Sequence, residues 1–575
     1  MKYPAYPYCF TNPATAAPFS GSWDAIVIGS GIGGLATAAL LSRFAHKRVL
    51  VLERHYTAGG YTHVFQRKGY EWDVGLHYIG QVRNEASQVR RAFDLITNGQ
   101  LQWSSMPDVY DRFVIAGRQY EFVSDPERFA ATLKSWFPTE SAAIDAYLKA
   151  VKAAARAGEL YFAEKAIPRP LAFLFGGLMR APFLRWAKRT TADVLAGFTQ
   201  NQELIGLLTA QWGDYGLPPK QSSFAIHAII ANHYLEGASY PVGGASRIAE
   251  TILPVIEESG GKIVINAEVA EIMVKDGRAT GVRMADGKEL PAPVVISDAG
   301  AHATFSRLLP ADNRKHQVVM DQLRTIPPST AHICLYVGLK DTAANLGLAG
   351  TNIWVYPGPN HDANLETFLS DPSTHLPAVY ISFPSAKDPD FERRHPGRAT
   401  VEVITFTPHH WFEKWQDTHW RRRGPDYDAF KEELANRLLA ELIRQVPALD
   451  GKIDYWELSS PLSTRHFMNH QRGEMYGLSS TPERFRLRCL TPKTPIQQLY
   501  LTGQDVSCLG VTGALFGGFL TASAILGRNL TGELGKPRAK QKPGARPTKP
   551  SVEEKVTTKS EPVDLTWRRL IAHYA

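Results

Sequence analysis

The chain of 575 residues is long enough for more than one hydrophobic core, and 44% hydrophobic with 21% charged residues excludes a disordered or low-complexity protein. A formal net charge of +8 would suit nucleic acid or an anionic surface, but much of the excess sits in KPRAKQKPGARPTKP, Lys536 to Pro550, a Pro-rich run that cannot build a core, so nucleic acid is set aside as a partner. The four cysteines, Cys9, Cys334, Cys489 and Cys508, form no CxxC pair, which argues against a disulfide framework or a zinc site.

Residues 1–21 read as a leader, and from Trp23 the order is strand (WDAIVIG), glycine turn (SGIGG), helix (LATAALLSRFAHK) and strand (RVLVLE). This is the βαβ unit that opens a parallel sheet. The apolar run Ala25 to Ser42 is read as neither signal peptide nor membrane span, because no basic segment immediately precedes it, glycine is frequent, and a charged cluster follows at once. GSGIGG sets Gly29, Gly31 and Gly34 in a G-x-G-x-x-G spacing, with Ser30, Ile32 and Gly33 completing the turn. Gly29 allows the tight turn, Gly31 lets the backbone approach a pyrophosphate, and Gly34 lets helix and strand pack closely, while the helix N-terminus offers unpaired N–H groups. Glu53, followed by Arg54, ends the next strand, where an acid can accept hydrogen bonds from an adenosine ribose. The doublet Gly59-Gly60 adds bare backbone beyond it.

EWDVGLHYIG, Glu71 to Gly80, alternates like one half-buried strand, with Trp72, Val74, Leu76 and Tyr78 on one face and Glu71, Asp73, Gly75 and His77 on the other. Up to 110 the chain belongs with the opening unit; 111–224 is expected to be helical, as in SAAIDAYLKAVKAAARAGELYF. Within it, residues 161–189 mix Phe, Leu and Trp with six Lys and Arg. Two readings stand for that stretch: a monotopic patch dipping into lipid headgroups, or a buried helical hairpin. Residues 225–304 return to the first domain, with DG turns at Asp276-Gly277 and Asp286-Gly287. Residues 305–489 mix strands with one long helix, 490–530 give a strand, a glycine-punctuated loop and a helix, and 531–575 form the basic tail with a short amphipathic end.

ERHYTAGGYTHVF resembles the acid-then-GG continuation of FAD-dependent oxidoreductases of the phytoene desaturase type, and LYLTGQDVSCLGVTGALFGGFLTASAIL resembles their second FAD segment. ASYPVGGASRIAETILPVIEESGGKIVINAEVAEI resembles the middle segment, whose strand carries Val269. WDVGLHYIG, SFAIHAIIANHYLEGASYPVGG and SPLSTRHFMNHQRGEMYG, with FPSAKDPDFERRHPGRAT and FEKWQ, narrow the resemblance to the retinol saturase subfamily, from about residue 22 to 530. The chain departs from that pattern in lacking a secretory leader and in placing Tyr61 and Thr62 after the GG doublet.

The resemblance implies an α/β protein: a discontinuous Rossmann-like FAD-binding domain of the amine-oxidase type with an inserted α+β substrate domain. It implies FAD as cofactor, with Gly503 and Asp505 at the ribityl and phosphate end, Gly513 at the entry to the helix of that segment, and Val269 holding the adenine through its backbone. It also implies saturation of a double bond in a retinoid or carotenoid-like polyene, with a carotenoid isomerase or desaturase as the nearest rival and an escort protein like the Rab GDP-dissociation inhibitors as a rival from another class. Only one dinucleotide fingerprint is present, so the electron donor is not written in the chain. Saturation needs a hydride to one carbon and a proton to its neighbour. His77, Tyr78 and Tyr476 are the candidate donors or flavin contacts, against an ordinary core histidine and packing tyrosines. His227 and His233 are candidates to border the substrate cavity, against ordinary helix-face histidines. His409, His410, Glu413 and His419 lack clean ligand spacing, so no metal is expected. The expected setting is cytoplasmic and peripheral to a membrane, with no span.

Overall fold

The computed structural model describes residues 10–11, 19–310 and 314–535; most of the leader and the basic tail from 536 onward lie outside them. Five strands form a parallel sheet in the order Lys262–Val264, Val49–Leu52, Ala25–Ile28, Val295–Ser297, Leu499–Leu501. Three stretches far apart in the chain therefore share one sheet. Val49–Leu52 and Ala25–Ile28 are buried at every residue, which is why they read as unbroken apolar runs. The helix Ile32–Ala45 is buried from Ile32 to Ser42, because it lies on the sheet and packs against the helices Arg247–Glu257 and Gly510–Leu526. Its apolarity is spent in that core. No helix among the described residues is long and apolar enough to cross a membrane.

A three-stranded antiparallel meander, Val269–Lys275, Arg278–Met284 and Glu289–Pro291, hangs from this sheet. Asp276 and Gly277, at φ 51° and 73°, make its first turn, as the DG pair predicts. The second large sheet has seven strands in the order Ile453–Ser459, Ala331–Leu339, Ala399–Thr407, Val379–Ser382, Asn352–Tyr356, Val109–Ile115, Arg118–Val123. Its only parallel pair is Asn352–Tyr356 with Val109–Ile115. The stretch expected to be helical from 111 thus opens with a hairpin that completes this sheet. Its signal was local: alternating VYDRFVI and RQYEFV around Ala116-Gly117, whose φ values of 50° and 81° make a tight hairpin turn. The helices Ser141–Glu164 and Arg169–Ala187 follow and pack on each other.

The decapeptide expected to be one strand is not one. Tyr70–Asp73 pairs with Val64–Arg67, the chain then leaves the ladder, and Ile79–Gly80 joins a different sheet with Ala238–Pro241. Trp72 packs with Phe65 and Tyr336, Leu76 joins the core of the dinucleotide domain, and Tyr78 joins that of the helical region. Three side chains predicted to share a face therefore anchor three different cores, because the segment crosses between domains.

Two fastenings hold Tyr70–Asp73 at that crossing. Trp72 Nε1 donates to the Val337 carbonyl at 3.0 Å. On the other side Arg394 reaches Glu71 at 2.5 Å and Asp388 at 2.7 Å. Burial opposes ionisation of Glu71, but the hydrogen bond from His395 and the charge and hydrogen bond of Arg394 outweigh it and hold the carboxyl down at about 2. A depressed carboxylate contributes stability above its unfolded value, and that contribution is lost as pH falls toward about 2. Replacing Arg394 by Met leaves Glu71 and Asp388 buried without their cation and is expected to cost about 3 kcal/mol in urea unfolding at neutral pH. The deficit should shrink in acid, where Glu71 protonates in both proteins.

Candidate active site

Between the ends of the parallel strands and the seven-stranded sheet lies a cavity of about 1710 Å³. That exceeds the roughly 300–1,000 Å³ of a pocket for one drug-sized ligand. One end is built from bare backbone. Gly29, Ser30, Gly31, Ile32 and Gly33 line it, as do Gly59, Gly60, Val269, Asp505 and Gly513. Gly34 and Gly503 stand behind this wall and shape it. A methyl added to Gly33 would strike the backbone of Gly503, so the glycine loop and the C-terminal segment touch only because both lack side chains.

Glu53 ties this end together. Its Oε2 accepts from Ser30 N at 2.9 Å and Ser30 Oγ at 2.6 Å, and its Oε1 accepts from His55 N at 2.8 Å. Ser30 Oγ in turn accepts from Gly59 N at 3.1 Å, which fixes the GG segment against the first loop. Arg54 lines the cavity while its guanidinium donates to the carbonyls of His466 and Phe467.

The donor set fits FAD. Asp505 Oδ2 accepts from Ala301 N at 2.7 Å, whereas Oδ1 is buried with no hydrogen-bond partner and lies 3.5 Å from Arg484. Thr512 Oγ1, on the same wall, is also buried and unpaired. These two atoms leave hydrogen-bonding capacity at the wall that ribityl hydroxyls would use. Asp298, which the sequence reading missed, faces the glycine loop, its Oδ2 lying 2.5 Å from where a Gly31 methyl would sit. Burial pushes its carboxyl up to about 8, so at neutral pH it is uncharged and does not repel a pyrophosphate.

The opposite wall carries the titratable groups. His77 lines the cavity with 14% of its side chain exposed, and its Nδ1 lies 2.7 Å from Glu402 Oε2. Glu402 is completely buried, and its other oxygen accepts from Asp73 N at 2.7 Å. Lys387 Nζ donates to the His77 carbonyl at 2.9 Å, to Asn352 Oδ1 at 2.5 Å and to Ser382 Oγ at 2.7 Å. Burial lowers the His77 imidazole to about 4 and raises the Glu402 carboxyl to about 8. One ligand atom each from Asp73, His77 and Glu402 falls within 4.8 Å of the others. Both Glu402 oxygens are already engaged and Lys387 supplies the local positive charge, so the cluster is a hydrogen-bonded acid network.

Tyr78 also lines the cavity, but its hydroxyl is turned to carboxyls: it lies 2.7 Å from Asp214 Oδ2 and 3.2 Å from Asp111 Oδ2, with the ring stacked on Tyr234. Tyr476 borders the cavity with its hydroxyl 3.4 Å from the Gly213 carbonyl. His233 borders it too and accepts from Gly80 N at 2.8 Å, which fixes the backbone after Tyr78. His227 does not. It is buried between Tyr147 and Tyr215, one hydroxyl at each ring nitrogen at 3.0 and 3.1 Å, and is a core residue rather than a cavity one. Gly75, placed by the alternation on a face with Asp73 and His77, makes room for the ring of Tyr61, whose Cδ1 would lie 2.7 Å from an added methyl.

The sequence matches the description "flavin containing amine oxidoreductase" over residues 32–526, most of the chain. The chain belongs to that family. It is an FAD-dependent oxidoreductase with the family's α/β fold. It is 38% identical over 526 residues to the all-trans-retinol 13,14-reductase of Danio rerio, covering 88% of this chain and 86% of that protein. A second Danio rerio protein, the inactive all-trans-retinol 13,14-reductase, is 34% identical over 88% of this chain and 86% of its own. The prolycopene isomerase of Arabidopsis thaliana is more distant, 25% identical over 88% of this chain and 82% of its own. Among solved structures, cyclohexylamine oxidase from Brevibacterium oxydans superposes with a TM-score of 0.55 at 17% identity, covering 90% of this chain and 100% of its own.

In this flavoprotein a Gly33→Ala substitution pushes the glycine loop off Gly503 and opens the dinucleotide end. The purified variant is expected to lack the visible flavin spectrum that the wild type shows, with secondary structure by circular dichroism retained.

Proposed function

We propose that the protein reduces one carbon–carbon double bond of a retinoid or carotenoid-like polyene. The observation that carries this reading is the 38% identity to an all-trans-retinol 13,14-reductase across nearly the whole of both chains. The cavity supports it, being larger than a pocket for one small ligand and walled on its far side by Tyr78, Trp354, Tyr380, Ile404 and Phe406, which suit a flat conjugated chain. FAD, held by the glycine loop, Glu53, Gly59-Gly60 and Asp505, supplies hydride when bound and reduced. His77 supplies the proton to the neighbouring carbon. Its Nδ1 is taken by Glu402, so the ring edge free to meet a substrate carries Nε2. Tyr61 and Tyr476 flank the substrate and exclude water.

The helix Arg169–Ala187 presents an apolar surface next to residues that line the cavity. Phe173, Leu174 and Leu178 on it are 89%, 69% and 70% exposed. The same helix packs through Met179, with Phe162 and Ala163, against Leu520, and the last three line the cavity. An exposed apolar helix packed on residues that line a lipid-sized cavity suits a bilayer surface from which a polyene enters directly. Replacing Phe173, Leu174 and Leu178 together by Ser is expected to abolish sedimentation with phosphatidylcholine vesicles, while flavin content stays unchanged.

The reaction itself is tested by mixing anaerobically reduced holoprotein with all-trans-retinol and weighing the product. A gain of two hydrogens is expected. An unchanged mass with altered double-bond geometry would move the protein to the isomerases, and recovery of unchanged retinol would place it beside the inactive relative.

A further inference from the structure

Behind His77 the network holds more carboxyls than cations. Asp73 and Glu402 are fully buried, Asp111 and Asp214 lie a few bonds away through Lys387, Asn352 and Tyr78, and Lys387 is the ammonium among them. Cys334 and Tyr336 face Glu402 from the neighbouring strand, Tyr240 approaches from the Ala238–Pro241 strand with its hydroxyl on Asp73, and His332 faces His77; burial keeps all four uncharged at neutral pH. One ammonium cannot neutralise four carboxylates in a dry interior, so protons stay in the network.

We infer that Glu402 holds the proton that His77 delivers, the two side chains acting as a tautomeric relay whose charged product state is held by the Asp73 N–H and Lys387. The inference rests on the polyene-reduction reading and deepens it. At the start Glu402 is a carboxylic acid whose O–H donates to Nδ1 of a neutral imidazole, and Nε2 carries the hydrogen that faces the cavity. As hydride reaches one carbon of the double bond, the Nε2–H bond breaks and a C–H bond forms at the neighbouring carbon. Nδ1 takes the Glu402 proton in the same motion. The imidazole ends neutral in its other tautomer and Glu402 ends as a carboxylate, accepting from Asp73 N at 2.7 Å with the Lys387 charge nearby. After product leaves, a proton from solvent arrives at Nε2 and the Nδ1 proton returns to Glu402. No imidazolium forms, which suits a ring that burial holds neutral down to about pH 4. Glu402 is thus a positioning residue that acts through His77.

Glu402→Gln keeps the size and a hydrogen bond to Nδ1 but has no proton to pass on. Reduced holoprotein is mixed with all-trans-retinol and the loss of polyene absorbance is followed on both sides of pH 8, where the wild-type rate should fall as Glu402 ionises. The variant is expected to react about 10²-fold more slowly and to lose that fall, with FAD content unchanged. Should the variant not fold, the wild type decides: the solvent deuterium effect of a two-proton shift varies quadratically with deuterium fraction, that of a single transfer linearly. A measurement independent of turnover is the infrared spectrum of holoprotein carrying carbon-labelled glutamate, which should show one protonated glutamic acid at neutral pH that the variant lacks. A variant with the wild-type rate and pH profile, a linear deuterium dependence, or a spectrum with no protonated glutamic acid overturns the relay. If wild type reduces no polyene, the activity reading fails, and the infrared spectrum still decides whether Glu402 holds a proton.

Discussion

The backbone of Gly33, at the start of the first helix, lies against that of Gly503, near the end of the described chain, with no room for a methyl between them. Much else depends on that contact. It closes the parallel sheet with a strand from the far end of the sequence, seats the helix Gly510–Leu526 on Ile32–Ala45, and makes one wall out of a loop and a segment that are separated by the whole substrate domain. Because the inserted domain must leave and return through the same sheet, its seven strands are held over the open strand ends, and the cavity is the space left between.

The two walls of that cavity follow opposite rules. The dinucleotide side is glycine backbone with a few acceptors left unpaired, a surface that is incomplete without a polar ligand. The far side is aromatic, with the His77 imidazole at its face and a largely bonded set of carboxyls and an amine behind it. Such a buried network is costly unless every member is paired, and here most are: Lys387 uses all three donors, and Glu402 both oxygens. Asp73 is the exception. Its Oδ2 accepts from Tyr240 while Oδ1 has no partner, so protonation is the state that suits it.

The dinucleotide half was legible in the sequence because its requirements are local: a glycine spacing between a strand and a helix, an acid at the end of the next strand, a second doublet of glycines. The substrate half was much less so. Glu402 sits in ATVEVITFT as the single acid of an apolar strand, and Lys387 lies within the family-like stretch FPSAKDPD without anything local to mark its role; both meet His77 from more than 300 residues further along the chain. A charged residue in the middle of an otherwise buried strand was the available signal. The decapeptide misled for a related reason. Its alternation is real as far as Asp73, but beyond it Leu76 and Ile79 go to one core and Tyr78 to another, and periodicity within one segment carries no information about which core receives it. His227 misled because a helix-borne imidazole near the substrate region reads the same whether it faces a cavity or two tyrosines.

The central claim is that the flavin and His77 meet the same double bond from opposite sides. An experimental structure of the protein with FAD and a retinoid bound tests this most directly. The account predicts the pyrophosphate on the glycine loop, the isoalloxazine on one face of the polyene, and His77 Nε2 on the other within proton-transfer reach of the carbon beside the one facing the flavin. A polyene lying with His77 and the flavin on the same side, or with Tyr61 between the ring and His77, would contradict it.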